Sequence, residues 1–207
     1  MRKNTGWLDY AKRLQAIAQS GLAYCKNEYD RKRFEKIREI SVEIMSQYTE
    51  ISEEKIKNLF ANEAGYQTPK IDVRAAIFKA GEILLIKEKI DGLWALPGGW
   101  ADINCSLKEN LIREAKEEAG VKINPKRIIS VFNAETHNSA PNPFCIYKFF
   151  VECEFISGEF EENIETLESG FFSCDNLPSL STTRNTREQI KLCFETRKKA
   201  CHQAIFD

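Results

Sequence analysis

Histidine is nearly absent from this 207-residue chain: His137 and His202 are its two imidazoles. A His-based metal centre or a Ser-His-Asp triad therefore has little to draw on, although neither ring is individually excluded. No apolar run approaches the roughly 18 residues that span a bilayer, and the N-terminal MRKNTGWLDYAKRL lacks a signal-peptide core. No charge of one sign dominates. Thirty Lys and Arg face 31 Asp and Glu, a formal net charge of −1, so no overall basic balance draws nucleic acid or an anionic membrane. The seven cysteines are odd in number and form no Cys-x-x-Cys pair, which excludes a secreted disulfide framework and a zinc ribbon. Internal repeats and low-complexity tracts are also missing. These absences describe a soluble, cytosolic protein without a membrane partner. Its 43% hydrophobic content suits one ordinary domain and a small second one.

What is present divides at about residue 65. Over 1–65 the pattern is helical. Trp7, Leu8, Ala11, Leu14, Ile17 and Ala18 recur at helical spacing, and Gly21 marks a break. A second helix runs from about Asp30 with Phe34, Ile37, Ile40 and Ile44 on one stripe. Ser52 caps a short third helix carrying Ile56, Leu59 and Phe60. No catalytic constellation appears in this region, and it is too short for a comfortable independent core. It reads as a small all-α domain that packs on the remainder or on a second subunit. ANEAGYQTPK reads as the linker, and 66–207 as the second domain. That domain opens with strand Ile71–Phe78, a turn at Ala80-Gly81-Glu82 and a return strand Ile83–Lys87. Further strands are expected over Ile128–Ala134 and Cys145–Phe155. A Glu-rich loop follows over Glu159–Glu168, and a last helix from Thr186 to about Gln203.

The chemistry concentrates in LPGGWADINCSLKENLIREAKEEAGV, Leu96 to Val121. Ser106 with Glu109 forms a capping-box pattern and Gly120 closes the helix between them. On that helix Glu114, Glu117 and Glu118 fall within an arc of about 100°. Like charges so placed repel by roughly 0.2–0.5 kcal/mol per pair, so a cation belongs against them. Arg113 pairs locally with Glu117. Glu114 and Glu118 then stack at i and i+4 and call for a hard divalent ion, Mg²⁺ or Mn²⁺, which takes oxygen ligands. Gly98-Gly99 lets the backbone approach the same place. A plain solvated Glu/Lys helix face is the competing reading.

The order Gly-Gly, Arg-Glu-x-x-Glu-Glu-x-Gly and an aliphatic residue resembles the Nudix box, G-x5-E-x7-R-E-U-x-E-E-x-G-U. With Gly99 as its first glycine, Arg113, Glu114, Ala115, Glu117, Glu118, Gly120 and Val121 all fall at their required places. One position departs: the first glutamate of the box is replaced by Cys105, and a thiol is a poor ligand for Mg²⁺. The resemblance implies an α/β fold, the Nudix α/β/α sandwich with a mixed curved sheet, here preceded by the helical domain. It implies metal-dependent hydrolysis of the pyrophosphate in a nucleoside diphosphate linked to another moiety, releasing a nucleoside monophosphate. The helical region followed by GYQTPKIDVRAAIF and LWALPGGWADI is similar to a bacterial branch described as ADP-ribose or CDP-choline pyrophosphatases, dimers assembled in part through their helices.

Carried over residue by residue, this implies metal binding by Glu114, Glu118, Glu117 and the Gly98 carbonyl, with Glu117 and Arg113 as the alternative bracing pair. A general base is expected on the Glu-rich loop, where Glu165 and Glu168 are the candidates. Arg74, Gly99 and His137 are the substrate-side candidates, Arg74 for a phosphate and His137 on a covering loop. An aromatic side chain is expected to stack on the base. Two other functions compete: a nucleotide-binding or regulatory module in which Cys105 marks lost catalysis, and action on RNA ends or as an exonuclease. The near-neutral charge gives the second no support.

Overall fold

A computed structural model describes residues 6–138 and 142–207. The chain divides into two compact units, Met1–Pro69 with Pro141–Cys145, and Lys70–Ala140 with Ile146–Asp207. Residues 142–145 join the first unit for a physical reason. Lys12 Nζ donates to the carbonyls of Asn142 (3.2 Å) and Phe144 (3.3 Å).

The first unit holds helices α1 (Gly6–Tyr24), α2 (Glu28–Gln47) and α3 (Glu53–Phe60). Asn27 and Ser52 cap α2 and α3 with their side-chain oxygens. Leu8, Ala11, Val42, Met45, Ile56, Phe60 and Ala61 make the core. Gly21 does not break α1 as the sequence reading expected. A side chain there would collide with the Phe34 ring, so the glycine serves close packing of α1 on α2. The inner stripe of α2 is also rotated from expectation: Ser41, Val42 and Met45 are buried, whereas Ile40 is exposed. In α1 the amides of Gln15 and Gln19 are buried and Ile17 is exposed.

The second unit is a mixed seven-stranded sheet ordered β3-β2-β1-β5-β4-β7, with β6 on the other edge of β2. The strands are β1 (Lys70–Lys79), β2 (Glu82–Glu88), β3 (Trp94–Ala95), β4 (Val121–Asn133), β5 (Ile146–Gly158), β6 (Thr166–Phe172) and β7 (Ile205–Phe206). Ala80 and Gly81, both at positive φ, turn β1 into β2. The interior strand β1 is buried on both faces from Val73 to Phe78 and pairs in parallel with β5, as its near-continuous apolar run requires. Helix α4 (Leu107–Ala119) covers one face through Leu111, Ala115 and Ala119, packed with Val73, Ala75, Ile77, Leu84 and Ile86. Helix α6 (Arg187–Arg197) covers the other through Ile190, Cys193 and Phe194, packed with Ala76, Phe78, Ile83 and Leu85. The result is the expected α/β/α sandwich. It differs in detail from the sequence reading. β4 begins at Val121 and absorbs Pro125 at a register shift. A one-turn helix α5 (Ala134–His137) opens the loop after it, and α6 stops at Arg197 rather than near Gln203.

One irregularity positions the site. β1 and β2 pair at Phe78↔Ile83 and Lys79↔Glu82. Farther along, Trp94 and Ala95 pair with β2, and the following residues cross to β1. There Pro97 and Gly99 carbonyls accept from Ala75 and Val73 N–H, each at 2.8 Å, and Ala101 N–H donates to Ile71. The segment carrying Gly98-Gly99 thus fills a wedge where the two strands part.

Candidate active site

Helix α4 is set against this wedge by local chemistry. Its capping box is formed: Ser106 Oγ accepts from Glu109 N–H (3.2 Å) and Glu109 Oε2 from Ser106 N–H (2.7 Å). Gly120 ends it in the left-handed region at φ 68°. The last turn brings Glu118 under the wedge, where its Oε2 accepts the Gly98 N–H at 2.6 Å. Gly98 sits at φ 137°, and a β-carbon there would collide with the Val73 carbonyl, so no other residue fits this peptide orientation. A β-carbon on Gly99 would stand 3.6 Å from each Glu114 oxygen. The two glycines therefore admit the backbone directly over the Glu114/Glu118 pair.

Glu118 is 5% exposed. Burial pushes its carboxyl up to about 8, against the pull of Arg74 and the Gly98 N–H; Glu114 and Glu88 add to the rise. Glu114 is shifted upward as well, by burial and against Arg113. Arg113 is more heavily engaged than its sequence spacing foretells. Its Nη1 meets Glu117 at 2.7 Å, as expected, but its Nη2 also meets Glu114 (2.8 Å) and Asp102 (3.0 Å). Glu114 is thus not left without a local partner. Among the described residues no group of three or more His, Cys, Asp or Glu side chains forms a ready-made metal cluster. The donor chemistry nonetheless fits a hard divalent cation: two buried carboxyls, Glu114 and Glu118, that burial shifts upward, beside a glycine backbone.

Arg74 lies at the centre of a charged network. It is 4% exposed; its Nε and Nη2 grip Asp72 at 2.8 and 2.7 Å and its Nη1 donates to the Leu96 carbonyl at 3.2 Å. Burial works against its charge, but Asp72 outweighs burial and the guanidinium is held above its ordinary range. All three nitrogens are thus engaged within the protein, which does not match the expected reach to a phosphate. Glu88, also buried and shifted upward by burial, is met by Arg184 at 2.6 Å. Arg184 also binds Asp91 at 3.0 Å. The loop carrying Arg184 is pinned from below. Lys148 Nζ donates to the Thr183 and Arg184 carbonyls at 2.6 and 2.5 Å, and Asn185 Oδ1 accepts the Leu96 N–H at 2.7 Å. Burial lowers the Lys148 ammonium to about 8.

The remaining sequence candidates are placed unequally. Glu165 is exposed, and its charge is felt by Glu88. Glu168, on β6, is occupied by an ion pair with Lys87 at 3.6 Å. His137, expected over substrate, stacks on Phe132 with ring centroids 4.0 Å apart and contacts Asp207 at 2.9 Å; its observed partners belong to β4 and the β7 tail. Sequence reasoning missed Asp102, Glu88, Lys148 and Arg184. It missed Asp72 as well, although a signal was there: its place two residues before Arg74 in an otherwise apolar strand. No described helix is long and apolar enough to cross a membrane.

Comparison with known proteins agrees with this geometry. Residues 5–60 match the family described as a UDP-X-like, N-terminal oligomerisation domain, and residues 68–192 match the NUDIX domain. The chain is 42% identical over its full length, and the full length of the relative, to YjhB of Bacillus subtilis, described as a candidate ADP-ribose pyrophosphatase. The crystal structure of an ADP-ribose pyrophosphatase from Streptococcus suis matches with a TM-score of 0.63 at 44% identity, covering 68% of this chain and 100% of that one. A UDP-X diphosphatase structure matches with a TM-score of 0.63 at 32% identity, over 98% of this chain and 99% of the other. With the box helix, the glycine wedge and both family matches in agreement, this chain belongs to the Nudix hydrolase family.

Proposed function

We propose that the chain hydrolyses the pyrophosphate of a nucleoside diphosphate conjugate, ADP-ribose in the first instance, as a homodimer using Mg²⁺ or Mn²⁺. The observation that carries this reading is geometric: the buried Glu118 accepts the Gly98 N–H at 2.6 Å with Glu114 one turn before it on α4, and burial raises the Glu118 carboxyl to about 8. Such a group is poised to exchange its proton for a metal ion. Glu118, Glu114 and the Gly98 carbonyl would hold the cation. A bound divalent ion would offset phosphate charge and lower the pKa of a water. The protein's own part is positional. Arg113 aligns Glu114 and Glu117, and Arg74 steadies the field around Glu118 from its fixed place on Asp72. Glu165 is the better-placed proton acceptor of the loop candidates, since Glu168 is engaged by Lys87. Water adds across the P–O–P bridge, giving AMP and ribose 5-phosphate.

ADP-ribose is favoured by the descriptions of YjhB and the Streptococcus suis enzyme, relatives above 40% identity. UDP-linked conjugates are the next class, because the UDP-X diphosphatase matches across both units, and CDP-choline follows. The dimer is supported by the N-terminal family match and by exposed apolar side chains on the helices, among them Tyr10, Ile17, Tyr29 and Leu59.

The test is product release from ADP-ribose, a UDP-sugar and CDP-choline with Mg²⁺ and with Mn²⁺, with light scattering for the assembly. Metal-dependent AMP release with the highest kcat/KM on ADP-ribose is the expected result. A folded protein that binds these conjugates and cleaves none would overturn it in favour of a regulatory module.

A further inference from the structure

The family pattern places a glutamate where this chain has Cys105, yet Arg113, the arginine of the same box, is not short of carboxylates. We infer that Asp102 is a positioning residue that supplies, from three residues earlier, the loop carboxylate the box lacks at position 105. The inference rests on the proposed role of Glu114 as a metal-holding group.

Asp102 Oδ2 lies 3.0 Å from Arg113 Nη2, the same nitrogen that holds Glu114 at 2.8 Å. Ile103 and Asn104 form the corner of a turn, with Asn104 at φ 61°. Residues 102 and 105 are the two ends of that turn, so their α-carbons lie within about 7 Å. Both ends are fastened to the buried Asn110 of α4. Its Oδ1 accepts the Asp102 N–H at 2.8 Å and its Nδ2 donates to the Cys105 carbonyl at 3.4 Å. Asn110 itself touches Arg113 Nη2 at 3.4 Å. A carboxylate from either end of the turn therefore addresses one guanidinium. Cys105 is exposed, so the longer side chain of a glutamate has room there.

The consequence concerns Glu114. With Asp102 present, Arg113 keeps Asp102 and Glu117 as partners when Glu114 turns to a cation. Without Asp102, Arg113 Nη2 has Glu114 as its remaining ionic partner, and a metal must compete with the arginine for it. The Asp102 side chain is 62% exposed, so the ion pair contributes little to folding. Its effect falls on the orientation of Arg113 and the availability of Glu114.

Four variants test this against the wild type: Asp102→Asn, Cys105→Glu, the double variant, and Asp102→Asn with Ile103→Glu. The last restores charge at a neighbouring position whose side chain is 86% exposed. Each is measured for Mn²⁺ affinity by electron paramagnetic resonance, for thermal unfolding, and for kcat/KM on ADP-ribose. Asp102→Asn is expected to lose about tenfold in Mn²⁺ affinity, the scale of an outer metal-site contact, with an unchanged melting temperature. Cys105→Glu in that background should restore it, and Ile103→Glu should not. Full Mn²⁺ affinity in Asp102→Asn, equal rescue by Ile103→Glu, or no rescue by Cys105→Glu would each overturn the inference, as would a wild type that binds no Mn²⁺. A wild type that binds Mn²⁺ but cleaves no conjugate would sink the proposed activity while the affinities still decide the role of Asp102.

Discussion

The helical unit and the sheet unit handle charge in opposite ways. In the helical unit five ion pairs among the described residues are local and wet: Arg13–Asp9, Arg31–Glu28, Arg33–Asp30, Lys36–Glu39 and Lys57–Glu53 all lie three or four residues apart on exposed helix faces. The polar groups it buries among the described residues are neutral, Gln15, Gln19 and the Ser41 hydroxyl on the Ala11 carbonyl. The sheet unit buries charge itself. Arg74, Asp72, Glu88, Glu118 and Lys148 are all under 9% exposed, and the partners Glu88 and Arg184 come from opposite ends of the domain. Buried charge carries a desolvation penalty that apolar residues of similar volume avoid. Its confinement to the wedge below Gly98-Gly99 marks that wedge as the place where the fold gives up stability for chemistry.

The sharpest way to break this contrast is Arg74→Met. It strands Asp72 in the interior, and the expected loss is about 3–5 kcal/mol of unfolding free energy by urea titration. Replacing Asp72 by Leu in the same protein should recover much of that loss. A loss below about 1 kcal/mol would place the pair in the same class as a surface bridge.

Glu118→Gln should separate stability from activity. The amide oxygen still accepts the Gly98 N–H, but the ionisable group is gone, and activity should fall on the order of 10²–10³-fold. Metal-free stability should move the other way. In the native state the Glu118 carboxyl sits at about 8, above its ordinary 4.5. Its contribution is therefore complete below pH 4.5 and is lost as pH rises through about 8. Each fully titrating group of this kind approaches about 1.4 kcal/mol per pH unit. Glu114 and Glu88, both shifted upward, act in the same direction. Lys148, lowered from 10.5 to about 8, has the opposite effect, with stability gained as pH rises between those values, so it leaves the range below 8 to the carboxyls. The metal-free wild type should lose melting temperature between pH 5 and pH 8. Glu118→Gln should flatten most of that slope, as should saturating Mg²⁺. An unchanged slope in the variant would assign the titration elsewhere.

How much of this was readable in the chain follows from the range of each interaction. The capping box of Ser106 and Glu109, the Gly120 stop, the Ala80-Gly81 turn and the Arg113–Glu117 pair are local, and the sequence reading found them. The face of α2 was misjudged because several apolar stripes compete on it, and only packing against α1 selects Val42 and Met45 over Ile40. Gly21 looked like a helix end because a glycine's local effect is visible, whereas its service to the Phe34 ring is not. Glu88 with Arg184, and Lys148 with the carbonyls of residues 183 and 184, are brought together by strand order alone. No spacing rule connects them. The β7 tail, with Asp207 on Thr136 and His137, is unreadable for the same reason.

The smallest effect is expected from Arg33→Met, and it tests the contrast from the other side. Arg33 Nη1 stands 2.6 Å from Asp30, no farther than the 2.7 Å between Arg74 and Asp72. The distances agree, while the side-chain exposures differ widely: 73% and 41% in the first pair, 5% and 9% in the second. If distance governed the strength of an ion pair, both substitutions would be costly. Solvent and salt screen the exposed pair, and holding two long side chains in one geometry offsets the remaining attraction. Arg33→Met should therefore leave the melting temperature within measurement scatter at low and at high salt. A clear loss at low salt that disappears at high salt would show that the helical unit draws on its surface charges after all. The division between a locally paired, solvated unit and a unit with buried long-range charge would then be one of degree.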